Sequence, residues 1–172
     1  MVDWPSIIEQ HGPDVWRTAY RLLSNHEDAT DCYQETFLKA VTYARQREVK
    51  CWSATLRRIA TARAIDQLRC RYRLKGKALS LETNDEVVAV EPAPDETFAL
   101  RESMSLLRKG LAVIPPLQAE AFWLTEVELL SRADVASEMD ATPQQVATWL
   151  HRAKRKLRGY LAERGVHSEV RK

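Results

Sequence analysis

Apolar side chains recur every three or four residues along most of the chain. No run of strict alternation is long enough for a strand, so the pattern predicts an all-α protein. Ile7, Ile8, His11, Val15, Ala19, Leu22 and Leu23 mark a first helix, broken near Gly12 and Pro13, two poor helix-interior residues. Asn25-His26-Glu27-Asp28 reads as a turn that starts a second helix, on which Cys32, Thr36, Ala40 and Val41 share one side with Phe37 beside them. Residues 45–51 lack periodicity and read as a loop. From Trp52 a third pattern runs through Leu56, Ile59, Ala60, Ala64 and Leu68. A fourth helix is expected around Phe98–Val113. Ile114-Pro115-Pro116 stops it and starts a fifth, with Leu117, Ala121 and Leu124 on one side.

The stretch 131–158 holds two start signals. Ser131 with Asp134 three later resembles a capping box with a shortened acid. Thr142, Pro143 and Gln145 supply a cap, an N1 proline and an N3 glutamine. Two helices separated by about three residues make a helix-turn-helix. At about 100° per residue, Val146, Leu150, Ala153 and Leu157 fall in one narrow sector, expected to pack near Val135, Ala136 and Met139. Opposite lie Gln144, Thr148, His151 and Arg155, flanked by Gln145 and Arg152. A helix of this polarity suits a DNA major groove: neutral hydrogen-bonding groups read bases at its start, and cations hold phosphates at its end. Trp149 is expected to pack at the rim.

Charge divides the chain. Residues 51–77 carry eight Arg and Lys against Asp66 alone. Residues 78–103 carry seven acids against Arg101, and 142–172 carry eight basic residues against two acids. Two basic blocks at the ends of helical patterns favour a polyanionic partner. The acidic stretch, with Gly76, Asn84, Pro92 and Pro94, has a linker's composition. The expected organisation is thus two small helical domains, 1–75 and 98–165, joined by an acidic flexible linker, 76–97, and followed by a tail, 166–172. Each domain is small enough for its core to be only marginally stabilising. Aromatics near the loop (Tyr43, Trp52, Tyr72) add a candidate platform for unstacked bases. Cys32, Cys51 and Cys70 are far apart and form no CxxC, so reduced thiols in a cytoplasmic protein are expected, with no metal and no cofactor. No apolar run is long enough to span a membrane, and the first residues do not resemble a secretion signal.

Four stretches together resemble the motifs of bacterial sigma factors of the sigma-70 class, extracytoplasmic-function (ECF) subfamily: "DCYQETFLKA" (31–40), "RRIATARAIDQLR" (57–69), "IPPLQAEAFWL" (114–124) and "LSRADVASEMDATPQQVATWLHRAKRKLR" (130–158). The resemblance implies a first domain that docks on the clamp of core RNA polymerase through Asp31, Gln34, Glu35, Phe37 and Leu38. It implies capture and melting of the promoter −10 element by the loop 45–51 and the following helix, with Trp52, Arg58, Arg63, Asp66, Arg69, Arg71 and Arg73. It implies a second domain that rests on the polymerase flap and reads the −35 element through Thr142, Gln144, Gln145, Thr148, His151, Arg152 and Arg155. The linker would follow the path later taken by nascent RNA. An anti-sigma factor is a further partner common in such proteins.

The sequence departs from the family pattern at Ala62, where asparagine is usual, and at Leu129 and Asp140, where glycines are usual. Ala147 and Trp149 replace a frequent Lys and Arg, which leaves the promoter sequence open. The alternative function is a stand-alone helix-turn-helix regulator, which would need neither the 31–40 helix nor a second basic helix. A third, an enzyme such as a nuclease, lacks a carboxylate pair, a Cys–His spacing or a phosphate-binding glycine loop. Glu35 and Asp66 read better as a docking contact and a structural hydrogen-bonding group.

Overall fold

The first helix does not break at Gly12 and Pro13. In the computed structural model, which describes residues 2–78 and 98–164, α1 runs without interruption over Trp4–Leu23. Pro13 costs that helix one backbone hydrogen bond. Burial of Ile7, Val15, Ala19, Leu22 and Leu23 on the inner face outweighs the loss. Gly12 is also needed there, because a Cβ would stand 2.8 Å from the Tyr33 hydroxyl. Asp3 caps the start by accepting from the Ser6 amide, and Ser24 ends the helix in a left-handed conformation.

Asn25 caps α2 (His26–Gln46) by accepting from the Asp28 amide. The helix continues one residue past the expected start of the loop. α3 (Trp52–Ala78) likewise continues past Gly76, where the linker was expected to begin. The linker's remaining residues, 79–97, and the tail lie outside the described residues. The second half comprises α4 (Phe98–Val113), α5 (Pro116–Phe122), a π-helical turn at Trp123–Val127, α6 (Arg132–Glu138) and α7 (Pro143–Ala162). The described residues form no strand, as the periodicity predicts.

The two halves do not keep separate cores. One apolar cluster, with Ile7, Val15, Phe37, Leu56 and Ile59, is internal to α1–α3. A second, with Leu124, Val135, Met139 and Val146, is internal to the helix-turn-helix. The largest joins both: Ala19, Leu22, Leu23, Ala64, Ile65 and Leu68 pack with Leu111, Ile114, Ala119, Trp123, Ala153 and Leu157. The α7 stripe therefore divides. Val146 meets α6 as its spacing predicts, whereas Ala153 and Leu157 reach the shared cluster. Gly110 lets α4 lie against α7, since a Cβ there would stand 2.7 Å from Leu157 Cδ2. α3 sits at the centre, with α1 and α2 on one side and α4, α5 and α6 on the other.

Candidate nucleic-acid interface

α7 is set by its start. Thr142 Oγ1 accepts from the Gln145 amide (3.1 Å), and Gln145 Oε1 accepts from the Thr142 amide (2.8 Å), a complete capping box. Ser131 and Asp134 manage only half of one. The Ser131 hydroxyl accepts from the Asp134 amide, but the short acid reaches back no further than that hydroxyl (2.6 Å). Past the cap, Gln144, His151, Arg152 and Arg155 are exposed on one side of α7, with Thr148 half-buried among them. Thr148 donates to the Gln144 backbone carbonyl, and the Gln144 side chain is exposed, while that of Gln145 is engaged in the cap. Trp149 packs at the edge of the helix-turn-helix core, as expected. Leu129 and Asp140 both adopt positive φ (57° and 49°), which accounts for glycine being usual at those turns.

The α3 surface is partly covered. Arg69 donates to the carbonyls of Ala112 (3.2 Å) and Ile114 (2.7 Å), closing the end of α4 where the helix dipole favours a cation. Arg71 pairs with Asp28 and donates to the Leu23 carbonyl. Arg63 pairs with Glu35, linking a residue expected at DNA to one expected at polymerase. Arg73 and Asp66 are exposed. Trp52 is half-buried, packed edge-on against Trp4 (5.2 Å), and Tyr72 lies against the shared core rather than beside the loop.

Arg58 lines an open cavity of about 340 Å³ with Lys39, Thr42, Tyr43, Gln46, Ile59 and Ala62. Its makeup, two cations and one aromatic ring around an apolar floor, suits an extruded base and its phosphate. The small Ala62 side chain widens the floor. Spacing alone did not find this cavity, although three of its seven residues were expected near DNA: Arg58 as a −10 contact, Tyr43 as a base platform and Gln46 within the capturing loop. Tyr43, which lines it, was the available signal.

The α2 face offers Asp31, Gln34 and Leu38 to solvent, Leu38 with 70% of its surface exposed. Phe37 points the other way, into the core of α1–α3. Cys32 is buried in the shared cluster, donating to the Ala60 carbonyl, and burial pushes its thiol up to about 11. No helix among the described residues is long and apolar enough to cross a membrane.

Two regions of one family account for most of the chain: sigma-70 region 2 matches residues 7–74 and sigma-70 region 4 matches residues 105–157. The chain belongs to the sigma-70 family of sigma factors, in its ECF branch. It is 31% identical over 163 residues to the ECF RNA polymerase sigma factor SigE of Mycolicibacterium smegmatis. That match covers 95% of this chain but 63% of the relative, so the chain spans under two thirds of that protein's length. It is 23% identical to the ECF RNA polymerase sigma factor SigW of Bacillus subtilis, over 91% of this chain and 88% of that one. The fold resembles that of the sigma factor RpoE from Bartonella quintana, solved in complex with the anti-sigma factor NepR. The TM-score is 0.60 at 24% identity, over 93% of this chain and 97% of that one.

Proposed function

We propose that the protein is a non-enzymatic initiation factor that binds core RNA polymerase in the cytoplasm and directs it to promoters with matched −10 and −35 elements. The observation that carries this reading is the α7 face: an exposed Gln144 just past the cap, followed by exposed His151, Arg152 and Arg155 on a helix-turn-helix. Gln144 would pair with a base edge, worth about 1–3 kcal/mol of discrimination, while Arg152 and Arg155 neutralise phosphates. The α3 basic residues and the cavity beside Tyr43 would hold the melted −10 strand, with an extruded base stacked on Tyr43. The exposed Asp31, Gln34 and Leu38 would dock on the polymerase clamp, with Phe37 supporting them from the core. An anti-sigma protein would be the natural regulator, by analogy with the Bartonella complex. The functional halves would be residues 1–75 and 98–165.

Run-off transcription with purified core polymerase on a pool of promoters tests this reading. Transcripts that share one pair of upstream elements support it. DNA binding without any polymerase-dependent initiation points instead to a stand-alone regulator. Leu38→Glu is expected to weaken polymerase binding on the order of tenfold in a pull-down titration. Its stability should not change, because Leu38 packs against little of the fold.

A further inference from the structure

α7 is divided along its length. Its opening residues, 143–151, hold neither arginine nor lysine, whereas 152–158 hold Arg152, Lys154, Arg155, Lys156 and Arg158. A helix-turn-helix brings the opening turns of its second helix to base edges. The bases such a helix prefers therefore follow from the donors, acceptors and methyl groups in those turns. Guanine shows the major groove two acceptors, N7 and O6, and its usual partner is a cation that donates to both. Adenine shows an acceptor beside a donor, which an amide matches with its own pair of groups. Thymine adds a methyl that small apolar groups pack against.

The two glutamines at the start of α7 are not equivalent. Gln145 Oε1 accepts from the Thr142 amide (2.8 Å), so its acceptor is turned to the cap and the side chain cannot meet both groups of an adenine. Gln144 is exposed. One turn on, the Thr148 hydroxyl donates to the Gln144 backbone carbonyl (2.9 Å), which leaves no proton for a guanine acceptor and leaves the methyl as its apolar group. Ala147, half-buried next to it, adds a second methyl and no polar atom. Trp149 is taken up at the edge of the helix-turn-helix core. His151 stands seven residues past Gln144, about 10 Å further along the helix axis, and belongs with Arg152 and Arg155. Lys154 pairs with Glu126 (2.9 Å), whereas Arg152 and Arg155 are exposed.

We propose that α7 reads its upstream promoter element as A·T pairs, with Gln144 meeting an adenine through both amide groups and Thr148 and Ala147 meeting a neighbouring thymine through their methyls. The proposal rests on the reading of α7 as the −35 helix and names the bases it selects. A guanine opposite Gln144 would set the amide carbonyl against a second acceptor. Arg152 and Arg155 add attraction that is the same for every sequence. Gln145 is a cap residue and not a reader.

The test has two arms, both with the full chain. In one, the protein alone selects from a pool of duplexes randomised over a short central segment. In the other, the protein with core polymerase transcribes a promoter pool randomised over the upstream element. Both should enrich A·T pairs at adjoining positions. Gln144→Ala should reduce the preference for adenine at one position by roughly tenfold, and Gln144→Arg should turn that position to guanine. Thr148→Ser keeps the hydroxyl and drops the methyl, and should weaken selection of the neighbouring thymine. Gln145→Ala should leave the selected bases unchanged. So should Arg155→Ala, which should lower affinity for every duplex alike and reduce the salt slope by about 0.9. Circular dichroism checks that the variants keep their helices, and the wild-type selection decides on its own if one does not. Enrichment of guanine by the wild type, no base preference, or the same selection from folded Gln144→Ala overturns the proposal. A complete lack of transcription would sink the sigma-factor reading, whereas the duplex selection would still decide which bases α7 reads.

Discussion

α3 and α7 carry similar charge and would face the same promoter, yet the fold treats them oppositely. α3 is packed on both sides, and its Arg57 and Arg69 reach the Glu128 side chain and backbone carbonyls of the second half. α7 buries only Val146, Leu150, Ala153 and Leu157, and leaves its cationic side in water. Basic charge on a helix therefore does not by itself mark an available DNA surface. What decides is whether the protein's own acids reach the arginines first.

The largest expected effect comes from uncovering α3. Trp123→Ala should destabilise the fold by about 3–5 kcal/mol in urea titrations, since it empties the centre of the shared cluster and removes one of the hydrogen-bond donors to Glu128. Gln144→Ala, on the uncovered helix, should leave the urea midpoint where it is. It should reduce preference for the cognate −35 element over random duplex by about 1–3 kcal/mol in competition binding. Together these variants separate a helix held for stability from one held ready for recognition. Leu129→Gly should raise stability by up to about 1 kcal/mol. Glycine relieves the left-handed strain and leaves the neighbouring Glu128 in place.

The smallest effect is one of pH. Burial raises the pKa of Glu120, against the opposing pull of Arg58 and with the help of Asp66. Burial also raises that of Glu138, opposed by a hydrogen bond from Thr55 and by Arg58, and reinforced by Asp134 and Asp140. A carboxyl raised in the folded protein holds its proton more tightly there than in the unfolded chain. Its contribution to stability is complete below the ordinary value of 4.5 and fades as pH rises through the raised values. The stabilisation contributed by these two groups should accordingly weaken as pH climbs from acid toward neutrality, read as a fall in the urea midpoint of the wild type relative to the variant below. A Glu120→Gln, Glu138→Gln double variant should flatten that dependence.

Helix type and order were legible because periodicity reports them directly, and the α7 cap was legible because Thr, Pro and Gln at fixed spacing can do little else. Pro13 misled because its local penalty is small beside the burial of a twenty-residue helix. Asp134 was one methylene short of the box it resembled. The polar contact between the halves was invisible for a different reason. Thr18 and Glu128 lie 110 residues apart, and no periodicity within either helix reports a partner that distant. α3 showed the same limit. Its apolar residues read as one stripe, whereas Leu56 and Ile59 serve the first half and Ala64, Ile65 and Leu68 the shared cluster. The exposed polar side of α7 emerged where expected, while Arg63, Arg69 and Arg71 on α3 were found engaged within the protein.

The π-helical turn at Trp123–Val127 makes the geometry of the second half a matter of residue count. It holds one more residue than an α-helical turn would need. Deleting any one of its five would rewind the segment and rotate Glu128 by about 100° away from Thr18. α6 and α7 would swing with it. An insertion or deletion of a single codon is therefore enough to rewire how this molecule folds back on itself, with every side chain of the helix-turn-helix unchanged.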